Sequence, residues 1–190
     1  MRFRHLLLGG LVGLLPLFSP ALADVHSGLE AARRDDFPAA IEQWRPLAEN
    51  GNAEAQFYLG RLYRNGLGVE QDDREAARLF ALSAAQGYAR AGFDLGWMYY
   101  KGFGVIQDYE TAVNLFRMAA EQGLANAQYN LGIIFDEGQG VARDFAKAFK
   151  WYSLAAEQGI AGARYNVGWM YHKGLHVAKD DVAAVKWFRL

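Results

Sequence analysis

The sequence predicts an all-α fold, an α-α superhelix or solenoid built from antiparallel helix pairs. Three observations predict it. A set of residues recurs every 36 positions without a gap, each unit carries two apolar stripes at helical spacing, and glycine stands at fixed places in the unit, 21 residues against 4 prolines. With 190 residues, 52% of them hydrophobic and 22% charged, the chain buries a sizeable core and is not disordered. Twenty Lys and Arg against 21 Asp and Glu leave a formal charge of -1, so nucleic acid is not an expected partner. The absence of cysteine excludes a disulfide framework, thiolate metal sites, a thiol nucleophile and a lipid-modified cysteine.

Residues 1–23 have the composition of a secretory signal peptide. Arg2 and Arg4 open it, Leu6 to Phe18 form an apolar run, and Ala21-Leu22-Ala23 offers a small-x-small cleavage site. A run of that length at ~1.5 Å per residue reaches ~20 Å, short of a ~30 Å hydrocarbon core, so no stable membrane span is expected after cleavage. The expectation is a periplasmic or secreted chain beginning at Asp24.

Residues 24–50 are expected to form a helical half-repeat that caps the array. Asp36, Ala40, Trp44 and Ala48 occupy the register of Asp72, Ala76, Phe80 and Ala84. Pro38 suits a first helical turn, whereas Pro46 is expected to kink its helix.

Residues 51–190 read as four units, 51–86, 87–122, 123–158 and an incomplete 159–190. Gly51, Gly87, Gly123 and Gly159 open them. Leu59-Gly60 recurs as Leu95-Gly96, Leu131-Gly132 and Val167-Gly168, and the ring of Tyr63 as Tyr99, Phe135 and Tyr171. Gly66-x-Gly68-Val69 recurs at Gly102, at Gly138 and, as Gly174-x-His176-Val177, in the fourth unit, followed by Asp72, Asp108, Asp144 and Asp180.

Within a unit, Ala55, Leu59, Leu62 and Tyr63 line one face of a first helix, and Ala76, Leu79, Phe80, Ser83 and Ala84 one face of a second. Gly66 is placed for a left-handed C-cap and Asp72 for an N-cap, with Glu75 completing a capping box in that copy alone. Gly60 inside a helix costs about 1 kcal/mol relative to Ala, so its recurrence predicts that a neighbouring backbone or ring passes there. One helix pair cannot bury both stripes, and stacked pairs sharing a core are the solution.

These motifs, Gly-x-Ala-x-Ala, Leu-Gly-x-x-Tyr, Gly-x-Gly-Val, the capping Asp and Ala-x-x-Trp-Tyr at this period, resemble the Sel-one-like repeat (SLR) family, relatives of the tetratricopeptide repeats. The likeness spans residues 36–190 and implies a superhelix whose concave face binds partners, as an adaptor or assembly factor that in bacteria is often exported. Cysteine-rich members of the family have been described as β-lactamase-like, but they brace each unit with a disulfide that this chain cannot form; a hydrolase is the remote alternative.

No catalytic residue, metal site or cofactor is expected. His172 and His176 stand at i, i+4, yet Gly174 between them ends the helix and no Glu follows His172 as a zinc-protease motif requires, so both read as solvated loop histidines. The Gly-x-Gly pairs lack the strand and Lys-Ser/Thr of a phosphate loop and read as turns.

The residues that vary on a constant scaffold carry the functional expectation. In each first helix, the positions of Glu54, Tyr58, Arg61 and Asn65 form a stripe opposite the packed one. The proposed contacts are Tyr58, Arg61, Asp94, Trp97, Asn130, Ile133, Asn166 and Trp169, with the two tryptophans as anchors and the asparagines bonding a peptide backbone. An alternative is that these rings fill the seam between successive first helices. Trp151 and Trp187 are assigned to the core.

The leading functional expectation is a non-enzymatic cell-envelope adaptor for a protein or peptide partner. The second is a factor that contacts cell-wall polysaccharide or peptidoglycan, since rings stack on sugars. At the C-terminal end the register places a closing glycine beyond Leu190, leaving Trp187 and Phe188 on a half-covered edge; either the chain is a fragment or this edge finds a partner, self-association included.

Overall fold

The computed structural model describes residues 24–190; the expected signal segment lies outside the described residues. Among the described residues there are ten α-helices and no strand: α1 (Val25–Arg33), α2 (Phe37–Glu49), α3 (Ala53–Asn65), α4 (Asp73–Ala85), α5 (Ala89–Lys101), α6 (Tyr109–Glu121), α7 (Ala125–Glu137), α8 (Phe145–Glu157), α9 (Ala161–Lys173) and α10 (Asp181–Phe188). Helices α3, α5, α7 and α9 are the first helices of the four units, and α4, α6, α8 and α10 the second. Every helix packs on those before and after it in sequence, and α7 also touches α9, as a solenoid requires.

The loops repeat as closely as the helices. Gly66, Gly102, Gly138 and Gly174 cap the first helices in the left-handed conformation. Asp72, Asp108, Asp144 and Asp180 then cap the second helices through their carboxylates. Each capping Asp also donates its own backbone N–H back to the first helix, to the carbonyls of Tyr63, Tyr99, Phe135 and Tyr171 at 2.8–3.0 Å. That bond corrects the capping-box expectation at Asp72. Its N–H is spent on Tyr63, and Glu75 turns along its own helix to grip Arg78 at 2.7 and 2.8 Å. Pro46 does not interrupt α2, which continues through it to Glu49. Being near the end of the helix, it removes a single intrahelical donor.

The glycine inside each first helix marks the joint between paired helices. A Cβ at Gly60 would stand 2.9 Å from the ring of Phe80, at Gly96 2.8 Å from Phe116 and at Gly168 2.6 Å from Phe188; at Gly132 the ring of Tyr152 is nearer still. Phe80, Phe116 and Tyr152 are the heart of the core, at 0–1% exposure. The N-terminal helix reproduces this joint in another register. Gly28 of α1 lies under Trp44, sixteen residues before it, against twenty between Gly60 and Phe80, because the loop between α1 and α2 is shorter. The N-terminal segment is thus a helix pair rather than a lone second helix.

Buried polar groups are few and bonded. Gln56 and Gln128 donate to the carbonyls of Ala48 and Ala120 on the preceding helix, and accept from Gln86 and Gln158, the residues that cap the end of the following one. Arg164 takes the same place in the fourth unit, donating to Ala156 at 3.3 Å.

Candidate partner-binding face

A second ring completes each glycine joint. Phe57, Phe93, Tyr129 and Tyr165 hold one register in the four first helices and meet Phe80, Phe116, Tyr152 and Phe188, with centroids 5.5–5.9 Å apart. These rings anchor the first helices from beneath and decide which side chains remain outward. Phe57 is 3% exposed and Tyr165 56%, so the ring row surfaces toward the C-terminal end.

The eight side chains expected to contact a partner lie in different settings. Tyr58 is half-buried, stacked on Trp44 at 5.0 Å. Arg61 is exposed and reaches over the ring of Phe57. Asp94 is half-buried, 3.8 Å from Arg64, and burial pushes its carboxyl above the usual range while Arg64 and Arg61 hold it back. Trp97 is half-buried and wedged among Phe93, Tyr100 and Phe116, 5.3–6.5 Å between centroids. It lies over the joint between α5 and α6. Trp169, in the same register, is 41% exposed; Tyr165 stacks beside it and Lys173 sits 4.6 Å above its ring. Asn130 donates to the Asn126 carbonyl of its own helix, Ile133 is half-buried against the main core, and Asn166 is half-exposed. Trp151 is buried and Trp187 half-buried against the core.

The two histidines part company. His172 is not a loop residue but belongs to the last turn of α9, where its Nδ1 lies 2.6 Å from Asp181 Oδ1 and its ring 5.7 Å from Trp169. That bond ties the end of α9 to the start of α10 and holds the Asp181 carboxyl below the usual range. His176 takes the left-handed backbone of its glycine equivalents, φ +64°, and its ring lies against Phe149. No group of three or more His, Asp or Glu able to hold a metal ion occurs among the described residues. No described helix is long and apolar enough to cross a membrane.

Two hollows open on the first-helix face, and residues beyond the eight shape them. One, of about 410 Å³, runs from α3 across α5 to the start of α7 and is lined by Arg61, Arg64, Asn65, Arg90, Phe93 and Asn126, among others. Its neighbour, of about 250 Å³, is mainly apolar, between α1, α2 and α3, with Leu29, Trp44, Tyr58, Leu62 and Leu67 in its wall. Arg61 and Asn65 belong to both. Arg90 stands on the expected stripe in the register of Glu54, whereas Arg64 lies off it and joins the hollow only because α3 and α5 are packed. Beside them, burial within the ring cluster of Phe57 and Tyr58 pushes the Tyr88 hydroxyl up to about 12.

The chain has clear relatives of this architecture. The sequence profile of the Sel1 repeat matches residues 53–88, 89–124, 125–160 and 161–190, opening each unit on the first residue of a first helix. The fold is similar to the crystal structure of a Sel1 repeat protein from Oxalobacter formigenes, 34% identical with a TM-score of 0.83 over 86% of this chain and 68% of that one. It is also similar to c5321, described as a protective antigen of uropathogenic Escherichia coli with an SLR fold, 37% identical with a TM-score of 0.82. That match covers 88% of this chain, which spans 38% of the antigen. A Sel1 repeat protein from Klebsiella pneumoniae, 20% identical with a TM-score of 0.57 over 86% of this chain and 81% of that one, shares the fold. No curated protein matches the sequence. Four consecutive matched units and two solved relatives above 30% identity place this chain in the Sel1 repeat family, whose members are generally protein-interaction scaffolds.

Proposed function

We propose that this protein is a non-enzymatic scaffold of the bacterial cell envelope, exported by cleavage after Ala23, that binds a protein segment along the hollow first-helix face. One observation carries the reading: the joints that fix the helices repeat from unit to unit, while the outward stripe of the first helices changes in every unit. The exposed positions of the second helices vary too, among them Arg78, Asn114, Lys150 and Lys186; the first-helix face is favoured because solenoids bind partners along one extended concave surface. Two of its hollows lie there, one across α3 and α5 and one between α1, α2 and α3. Export is supported by the charged, apolar and small-residue order of residues 1–23.

Paired titration and melting experiments on Trp169→Ala test the reading, using a partner captured from cell-envelope extract and then purified. The ring is exposed enough that its loss should barely move the melting temperature while weakening binding by ~2 kcal/mol if it is an anchor. Undiminished binding in Trp169→Ala and in Arg61→Ala would place recognition elsewhere.

A further inference from the structure

We infer that the two hollows flanking α3 form one bipartite dock for an acidic protein segment, a large apolar side chain entering the hollow between α1 and α3 and a carboxylate entering the hollow between α3 and α5. The inference rests on the partner-binding role of the first-helix face and names the chemistry of the partner.

Charge comes first. Arg61, Arg64 and Arg90 line one hollow and Asp94 is its single carboxylate. Asp94 is engaged by Arg64 at 3.8 Å, and no other carboxylate among the described residues lies within ion-pairing distance of Arg61 or Arg90. Three guanidinium groups thus face one carboxylate, which Arg64 and Arg61 share, and the hollow carries a surplus of positive charge on a chain with a formal charge of -1. The contrast with Arg33 at the rim of the other hollow is direct, since Glu30 already neutralises it at 2.5 Å.

The guanidinium groups are also presented for use. Arg61 lies over the ring of Phe57, and Phe93 lines the same hollow, so an entering carboxylate meets planar donors backed by apolar surface. Charge-assisted bonds are strongest in that setting. Asn65 spends its Nδ2 on the Arg61 carbonyl, which leaves its Oδ1 as an acceptor for a backbone N–H at the ridge between the hollows.

Geometry joins the hollows. They share Arg61 and Asn65 and lie on either side of α3, so their centres are separated by about one helix diameter, ~10 Å. An extended chain covers that in roughly three residues at ~3.3 Å each. The recognised segment therefore carries Asp or Glu about three positions from Leu, Phe, Trp or Tyr.

Selection from a random twelve-residue peptide display library on the purified chain tests this. Arg61→Glu/Arg90→Glu serves as the parallel target; both positions are exposed, and circular dichroism checks its fold. The expected winners on the unmodified chain carry an acidic residue at about that spacing from a large apolar one and are not enriched on the double variant. A synthetic winner should bind about tenfold less tightly when its carboxylate is replaced by the amide, and about tenfold less tightly to Arg61→Ala or Arg90→Ala, with affinity falling as salt rises. Winners without acidic bias, no winners at all, or full displacement by millimolar inorganic phosphate would overturn the inference. The two readings fail separately: peptides that lose affinity for Trp169→Ala but not for the arginine variants overturn only the acidic dock. Peptides indifferent to every first-helix substitution overturn the proposed binding face itself.

Discussion

Replacing Gly96 by valine puts the joint between paired helices to a quantitative test. A Cβ on Gly96 would lie 2.8 and 2.9 Å from Phe116 Cε1 and Cδ1, against about 3.4 Å or more in ordinary contact, so the ring must retreat by at least about 0.6 Å for the first carbon alone. Phe116 is 1% exposed and flanked by Phe93 and Trp97, which leaves it little room to move, and valine adds two more methyl groups at the same point. Overpacking of this kind costs roughly 3 kcal/mol, and the better helix propensity of valine recovers only about 0.4 kcal/mol. The expected net loss is about 2.5 kcal/mol, or ~5–10 °C in melting temperature for a chain of this size. Circular dichroism at the helical minimum, with heat or urea, reads it. In a Phe116→Ala background the penalty should vanish, because the cavity accepts the new side chain. An unchanged midpoint in the single variant, or an undiminished penalty in that background, would refute the joint.

Further outcomes follow from the same structure. Trp97→Ala should cost about 2 kcal/mol of stability, since its ring is packed on Phe93 and Phe116, whereas Trp169→Ala should cost under about 1 kcal/mol; equal losses in urea unfolding would contradict the two settings. Replacing His176 by glycine should raise stability by up to about 1 kcal/mol, because a left-handed backbone is free to glycine and strained for histidine; a lower melting temperature would show that the Phe149 contact outweighs the strain. The cap carboxylates of Asp108 and Asp144 sit below their usual 3.8, held by the Thr111 hydroxyl and the Lys147 N–H respectively. Their contribution is therefore complete above that value and is lost as pH falls through the lower folded value, so melting temperature should drop below about pH 4 and drop less in Asp108→Asn/Asp144→Asn. Asp94 has the opposite sign: its carboxyl is raised by burial, so its contribution declines as pH rises from 3.8, and Asp94→Asn should remove that opposing slope.

Most of the fold was legible in the sequence because a solenoid has only neighbour contacts, and a gapless 36-residue register assigns each of them four times. The expected close approach at Gly60, Gly96, Gly132 and Gly168 is an aromatic ring in every unit. Helix α1 was not legible, since a shortened loop moves its Gly28 out of the register while preserving its contact with Trp44. The capping box at Asp72 failed because Arg78, one turn on, competes for Glu75 and the loop offers the Tyr63 carbonyl to the capping N–H. At the candidate site, the stripe of variable residues was readable from one helix alone. That Trp97 is wedged while Trp169 stands out depends on what surrounds each ring, and the basic hollow depends on Arg64 and Arg90 meeting across two helices. Position along one helix carries neither fact.

Site-specific photo-crosslinking tests the central claim, that recognition belongs to the first-helix face, most directly. A photoreactive phenylalanine analogue placed in turn at Arg61, Asn130 and Trp169 samples that face, and the same analogue at Arg78, Arg117 and Lys150 samples the exposed surface of the second helices. Irradiation in cells followed by electrophoresis should give discrete protein adducts from the first-helix positions and none from the second-helix positions, with the adduct at Arg61 carrying the acidic segment. Adducts confined to Arg78, Arg117 and Lys150 would contradict the account.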